Sequence, residues 1–139
     1  MKAYLDSSVV LRRVFNEPGA MRTWSQWELV MASELLHVEG FRAIDRLRIV
    51  GELRDAQLAE IMDSFRQLIN SVHAVAINSA VLRRAAAPFT SVVTALDAIH
   101  IATALLCMED ESEPLVFVTH DMQQAVAARP AGLDVKTAR

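Results

Sequence analysis

Four acidic residues stand where carboxylates could do chemistry: Asp6, Glu39, Asp97 and Asp121. Asp6 ends the apolar run KAYL and is followed at once by Ser7, Ser8 and a helical pattern. Asp121 holds the same place after LVFVTH, the most β-branched run of the chain. If both runs are central parallel strands, both carboxylates reach the carboxyl edge of one sheet, where α/β folds build their sites. Asp97 lies in TALDAIHIATALLCM, a helical segment apolar on nearly every face. A carboxylate in such surroundings costs several kcal/mol to bury unless it is paired or bound to a cation. Glu39 lies in a third helical run, SELLHVEGFRAIDRLR.

Carboxylates that converge repel one another and rise in pKa unless a cation intervenes. Hard oxygen donors without a histidine–cysteine cluster suit Mg2+ or Mn2+ rather than zinc. A divalent ion there would acidify bound water and neutralise charge on a phosphodiester. The plainer reading of Asp6 is a helix N-cap. The sequence favours leaving that duty to Ser7 or Ser8, which frees Asp6 as a ligand.

Positioning these residues requires a scaffold of alternating strands and helices. Strands are expected at residues 2–5, 29–32, 72–77, 115–119 and 133–137. Helices are expected at 8–15, 19–28, 33–50, 54–71, from 78 to before Pro88, 94–108 and 122–129. The run at 19–28 carries Met21, Trp24 and Trp27 at helical spacing, and 108–114 (MEDESEP) reads as a solvated acidic loop. This order implies an α/β fold: a three-layer α/β/α sandwich around a mostly parallel sheet of about five strands.

The 139 residues fit one domain, 1–139, and 53% hydrophobic against 22% charged residues suffices for a proper core. Aromatic residues are only 6%, so aliphatic side chains must carry the packing. A formal charge of −3 argues against broad polyelectrolyte binding of nucleic acid, while leaving room for a local cationic patch. Cations are almost all arginine, with Lys2 and Lys136 the only lysines, and arginine binds phosphate bidentately. Cys107 is a single thiol in an apolar run, expected to be buried. With no signal-like segment and no membrane-length apolar run, a soluble cytoplasmic protein is expected.

Four blocks carry a family resemblance: YLDSSVVLR, SELLHVEGFRA, LDAIHIATAL and VTHD, in that order from Tyr4 to Met122. Together they resemble the PIN-domain family, in particular VapC-type toxins of bacterial type II toxin–antitoxin pairs. The resemblance implies a compact α/β/α endoribonuclease. Asp6, Glu39, Asp97 and Asp121 would hold Mg2+ or Mn2+ and the hydrolytic water, with Ser7 and Thr119 as supporting hydroxyls. In-line hydrolysis of RNA would leave a 5′-phosphate and a 3′-hydroxyl. Arg12, Arg13 and Arg42 are candidate phosphate contacts, with pairing to Glu39 as the alternative for Arg42. The resemblance also implies a VapB-like antitoxin, seated in a groove expected beside Trp24, Trp27 and the third helix, and a homodimer.

Other readings compete. A phosphoacceptor receiver domain needs a lysine at the end of a late strand, where this chain has Thr119-His120-Asp121. A non-catalytic partner-binding module would make the acids structural. His100 reads first as a hydrogen-bonded core histidine and second as a support for Asp97. His120 is expected to cap or face solvent, and His37 to point away from Glu39.

Overall fold

The structure is a computed structural model that describes residues 1–110 and 113–138. Its elements are β1 (Lys2–Leu5), α1 (Ser7–Val14), β2 (Leu29–Ser33), α2 (Leu35–Ile49) and α3 (Asp55–Asn70). They continue with β3 (His73–Val75), α4 (Ser79–Ala85), α5 (Ala95–Asp110), β4 (Leu115–Thr119), α6 (Met122–Ala128) and β5 (Asp134–Thr137). The five strands form one all-parallel sheet in the order β3-β2-β1-β4-β5. The expected α/β/α architecture is the observed one.

Strand periodicity explains the two cores. Successive side chains of a strand face opposite sides of the sheet, and a parallel sheet covered by helices buries both. Ala3, Leu5, Val30, Ala32, Val116 and Val118 join Val9, Val10, Leu36, Ile44 and Phe65 on one side. Tyr4, Met31, Leu115 and Phe117 join Ile101, Ala104 and Leu105 on the other. Helix α5 buries every residue from His100 to Leu105, as expected of a helix apolar all round.

Chain direction defines the site. From β1 the chain steps to β2 and then β3 on one side, whereas β4 and β5 lie on the other. The order therefore reverses between β1 and β4, where ligands bind in open α/β sheets. Leu5 pairs with Val118, and Asp6 N–H donates to the Val118 carbonyl at 2.9 Å. This register sets Asp6 beside Thr119.

Two expected elements differ. Residues 19–28 are not helical: the chain runs without regular structure from Ala20 to Trp24 and through turns and bends to Glu28. Asn16 (φ 52°) and Gly19 (φ 76°) turn the chain sharply, and the Ser25 N–H is taken by Thr23 Oγ1 at 3.2 Å. Both indoles still pack on the first core, so their helical spacing reflects burial of an irregular segment. The acidic segment 108–114 is in part the end of α5, which continues to Asp110, while residues 111–112 lie outside the described residues.

Candidate active site

Asp6 is itself the N-cap of α1, contrary to the expectation that a serine would take that duty. Its Oδ2 accepts from Ser8 N at 3.1 Å and lies 3.3 Å from Thr119 Oγ1. The serines are occupied elsewhere. Ser7 Oγ donates to Glu39 Oε1 at 2.8 Å, and Ser8 Oγ accepts from His120 N at 3.1 Å. Capping does not exhaust a carboxylate that has about four lone-pair sites, so cap and ligand are compatible roles.

Asp121 repeats the arrangement at α6. Its Oδ1 accepts from Gln123 N at 2.9 Å and Gln124 N at 3.2 Å, and its other oxygen has no hydrogen bond among the described residues. Asp97 sits in the first turn of α5, its N–H bonded to Thr94 Oγ1 at 3.3 Å. Its carboxyl pKa is raised by burial first, then by the negative charges of Asp6 and Asp121. The charges of Asp6 and Asp121 therefore reach Asp97 across the carboxyl edge of β1 and β4.

Glu39 reaches the site differently. From α2 its Oε1 lies 2.6 Å from His100 Nε2, which is also 3.1 Å from Ser7 Oγ and 3.7 Å from Asp6 Oδ1. His100 is thus buried and hydrogen-bonded, and the carboxylate it touches is Glu39 rather than Asp97. Burial lowers its pKa, but the Glu39 hydrogen bond and the charges of Asp6, Glu39 and Asp97 outweigh this and raise it. On the far side of the ring, Nδ1 is 2.8 Å from the Tyr4 hydroxyl. Burial and then the Asp6 charge keep that phenol well above its ordinary pKa, so it stays a neutral hydroxyl.

Sequence reasoning missed Tyr4 and Gln124. Tyr4 gave no signal beyond an aromatic residue in a strand. Gln124 is fully buried: its Nε2 donates to Asp6 Oδ1 at 3.1 Å, and its Oε1 accepts from Thr119 Oγ1 at 2.7 Å. Its position three residues after the capping Asp121 was the available clue.

The arginines divide. Arg42 pairs with Asp45 at 3.2 Å and not with Glu39, and its side chain is 70% exposed. Arg12 pairs with Glu17 at 3.5 Å, whereas no ion pair among the described residues engages Arg13. His120 is half-buried, its pKa lowered by burial and by Arg12, and His37 is exposed against Phe41. Cys107 is half-buried against the second core. A groove of about 500 Å³ opens between the start of α2, the end of α3 and the edge strand β3, with Ala32, Leu35, Val38, Ile69 and Ala74 on its walls. Trp24 and Trp27 do not line it; Trp27 instead lies under Lys136 Nζ, 5.4 Å from its ring centroid.

The donor chemistry fits a hard divalent cation, because Asp6, Asp97 and Asp121 offer carboxylate oxygens that such ions prefer. They do not form a closed cage: among the described residues no three His, Cys, Asp or Glu side chains converge into a metal-sized group. Mg2+ needs no such cage, since it retains several waters and uses one or two carboxylates.

An all-parallel five-stranded α/β fold with acids at its switch point defines the class, and sequence comparison gives the family. A PIN domain matches residues 3–129, so the chain belongs to the PIN-domain family. The fold is shared with VapBC2 from Rickettsia felis bound to a promoter DNA fragment (TM-score 0.65, 8% identity, all of both chains). It is also shared with VapBC-1 from nontypeable Haemophilus influenzae (TM-score 0.62, 14% identity, 99% of this chain and 98% of that one). A domain of a functionally unknown protein from Methanocaldococcus jannaschii aligns at TM-score 0.54 and 14% identity, over 99% and 91% of the two chains. Comparison with curated protein sequences gives no match. No helix among the described residues is long and apolar enough to cross a membrane.

Proposed function

We propose that this protein is a divalent-metal-dependent endoribonuclease, the toxin of a toxin–antitoxin pair. PIN domains are generally nucleases, and the family match covers nearly the whole chain. The observation that carries the reading is Asp97, a half-buried acid whose pKa is raised in part by Asp6 and Asp121. Such a cluster is held together at some cost unless it serves a cation.

Asp6, Asp97 and Asp121 would hold Mg2+ or Mn2+, with Glu39 completing the set. When bound, the ion would supply an acidified water and charge neutralisation at the phosphate. The chain's own residues do the rest. Ser8 N–H and Gln124 fix the Asp6 carboxylate, Thr119 in turn holds Gln124, and the α6 amides fix Asp121. Ser7 and His100 fix the Glu39 carboxylate through its Oε1, from where it would orient a water for in-line attack. Arg13 is the freest of the three candidate cations for a flanking phosphate, and Arg12 and Arg42 would first have to leave Glu17 and Asp45.

The partner reading draws on the VapBC complexes that share the fold. A VapB-like antitoxin would neutralise this chain, and a homodimer is the expected assembly. Sequencing RNA 5′ ends after expression of wild type and Asp6→Asn tests the activity, since asparagine can still cap α1. New 5′-phosphate ends with wild type alone support it; identical ends and growth with both would sink it.

A further inference from the structure

We propose that Gln124 is a positioning residue, its buried carboxamide fixing which way the Asp6 carboxylate faces in the metal site. The inference rests on the metal-nuclease reading and adds to it a residue outside the four acids.

Gln124 is the third residue of α6 after the cap Asp121. A glutamine there ordinarily reaches back to the N-cap N–H in a capping box. That duty is already filled, because Asp121 N donates to Thr119 Oγ1 at 3.0 Å. The freed carboxamide turns inward, where it is 0% exposed. Its orientation follows from donor and acceptor counting. An ionised Asp6 only accepts, so the facing atom at 3.1 Å must be the NH2 nitrogen. The oxygen then faces Thr119, whose hydroxyl must donate at 2.7 Å. A one-directional chain results, from Asp121 N–H through the Thr119 hydroxyl to the Gln124 carbonyl, and from the Gln124 NH2 to Asp6. Aligned bonds of this kind strengthen one another.

The consequence concerns charge. A lysine or arginine at this place would hold Asp6 equally well but would compete with a cation for it. A neutral amide orients the carboxylate through Oδ1 and leaves its negative charge in place. Partners that orient ligands in this way typically contribute 10–100-fold to metal affinity.

The test is Mn2+ binding without RNA, followed by electron paramagnetic resonance for wild type and Gln124→Met, which keeps the bulk and removes both hydrogen bonds. At least about tenfold weaker binding is expected, with the helical circular dichroism unchanged. In cleavage assays the variant should need correspondingly more Mn2+, with KM for RNA at saturating metal unaltered. Equal Mn2+ affinity in the two proteins overturns the role of Gln124 alone, whereas a wild type that binds no Mn2+ overturns the metal-site reading beneath it. Should Gln124→Met not fold, the wild-type side-chain NH2 resonances decide by NMR. They should exchange slowly and shift as Mg2+ is added, and their indifference while backbone amides of residues 6–8 shift would refute the proposal.

Discussion

Glu39 Oε1 lies 2.6 Å from His100 Nε2, so the fourth acid of the site is held by an imidazole instead of standing open beside the other three. The same nitrogen is 3.7 Å from Asp6 Oδ1. One ring nitrogen therefore reaches both Glu39 and Asp6 and, when protonated, offsets the charge of both. Tyr4 behind it fixes the ring through Nδ1.

Protonated His100 stabilises the fold, and the sign gives a pH dependence. Its folded pKa is raised above the ordinary 6.5, with burial opposing and the Glu39 hydrogen bond and acidic neighbours prevailing. The stabilisation is fully present below 6.5 and is lost as pH rises through the higher folded value. Urea denaturation of metal-free protein between pH 6 and 9 should show stability falling across that window. His100→Gln should flatten this fall, and an equally steep fall in the variant would count against the assignment.

Asp97 has the opposite consequence for an acid. A folded pKa raised by burial and by Asp6 and Asp121 means that the folded state binds the proton more tightly than the unfolded one. The contribution of Asp97 to stability is therefore most favourable at low pH and falls as pH rises from the unfolded value through the folded one. In EDTA at neutral pH, Asp97→Asn should melt higher than wild type. With Mn2+ the order should reverse, because wild type gains about 2.7 kcal/mol at a hundredfold excess over Kd and the variant gains little. A variant that melts lower in EDTA, or gains as much from Mn2+, would remove Asp97 from the site.

Much of this was legible in the sequence because period-two burial and strand ends are local properties. The runs KAYL, LVMA and LVFVT announce the central strands, and the acids after two of them mark the carboxyl edge of the sheet. What stayed hidden depends on long-range partners. The Tyr4–His100 bond spans 96 residues and the Gln124–Asp6 bond 118, and neither leaves a spacing signal. The segment 19–28 misled for a related reason. Its Trp24 and Trp27 mimic a helix face, but Gly19 and the Thr23–Ser25 turn set the backbone locally. The serines do not relieve Asp6 of capping, because tertiary contacts with Glu39 and His120 claim both hydroxyls.

Removal of the Tyr4 hydroxyl isolates its hold on His100. Tyr4→Phe keeps the stacking on Phe117, whose ring centroid is 5.5 Å away at an interplanar angle of 7°, and leaves His100 Nδ1 without its 2.8 Å partner. An unsatisfied buried group costs about 1–3 kcal/mol, so a lower denaturation midpoint is expected. The His100 15N shifts should also move as the ring loses its fixed orientation. Unchanged shifts would mean that Glu39 and Ser7 suffice to hold the ring.

Gly40 links helix packing to the site. A Cβ built there would lie 1.8 Å from Phe65 Cζ, so the ring occupies the space that a side chain would need. Phe65 is 0% exposed and in the first core, so it cannot simply swing away. Gly40→Ala must push α3 from α2, costing about 1–3 kcal/mol as overpacking does. It should also displace Glu39, the preceding residue, from Ser7 and His100. Nuclease activity should therefore fall further than the loss of folded protein explains. Combining Gly40→Ala with Phe65→Leu, which vacates part of the ring's volume, should recover both stability and activity in part. If the double variant regained stability while activity stayed as low, Glu39 would not be what the packing positions.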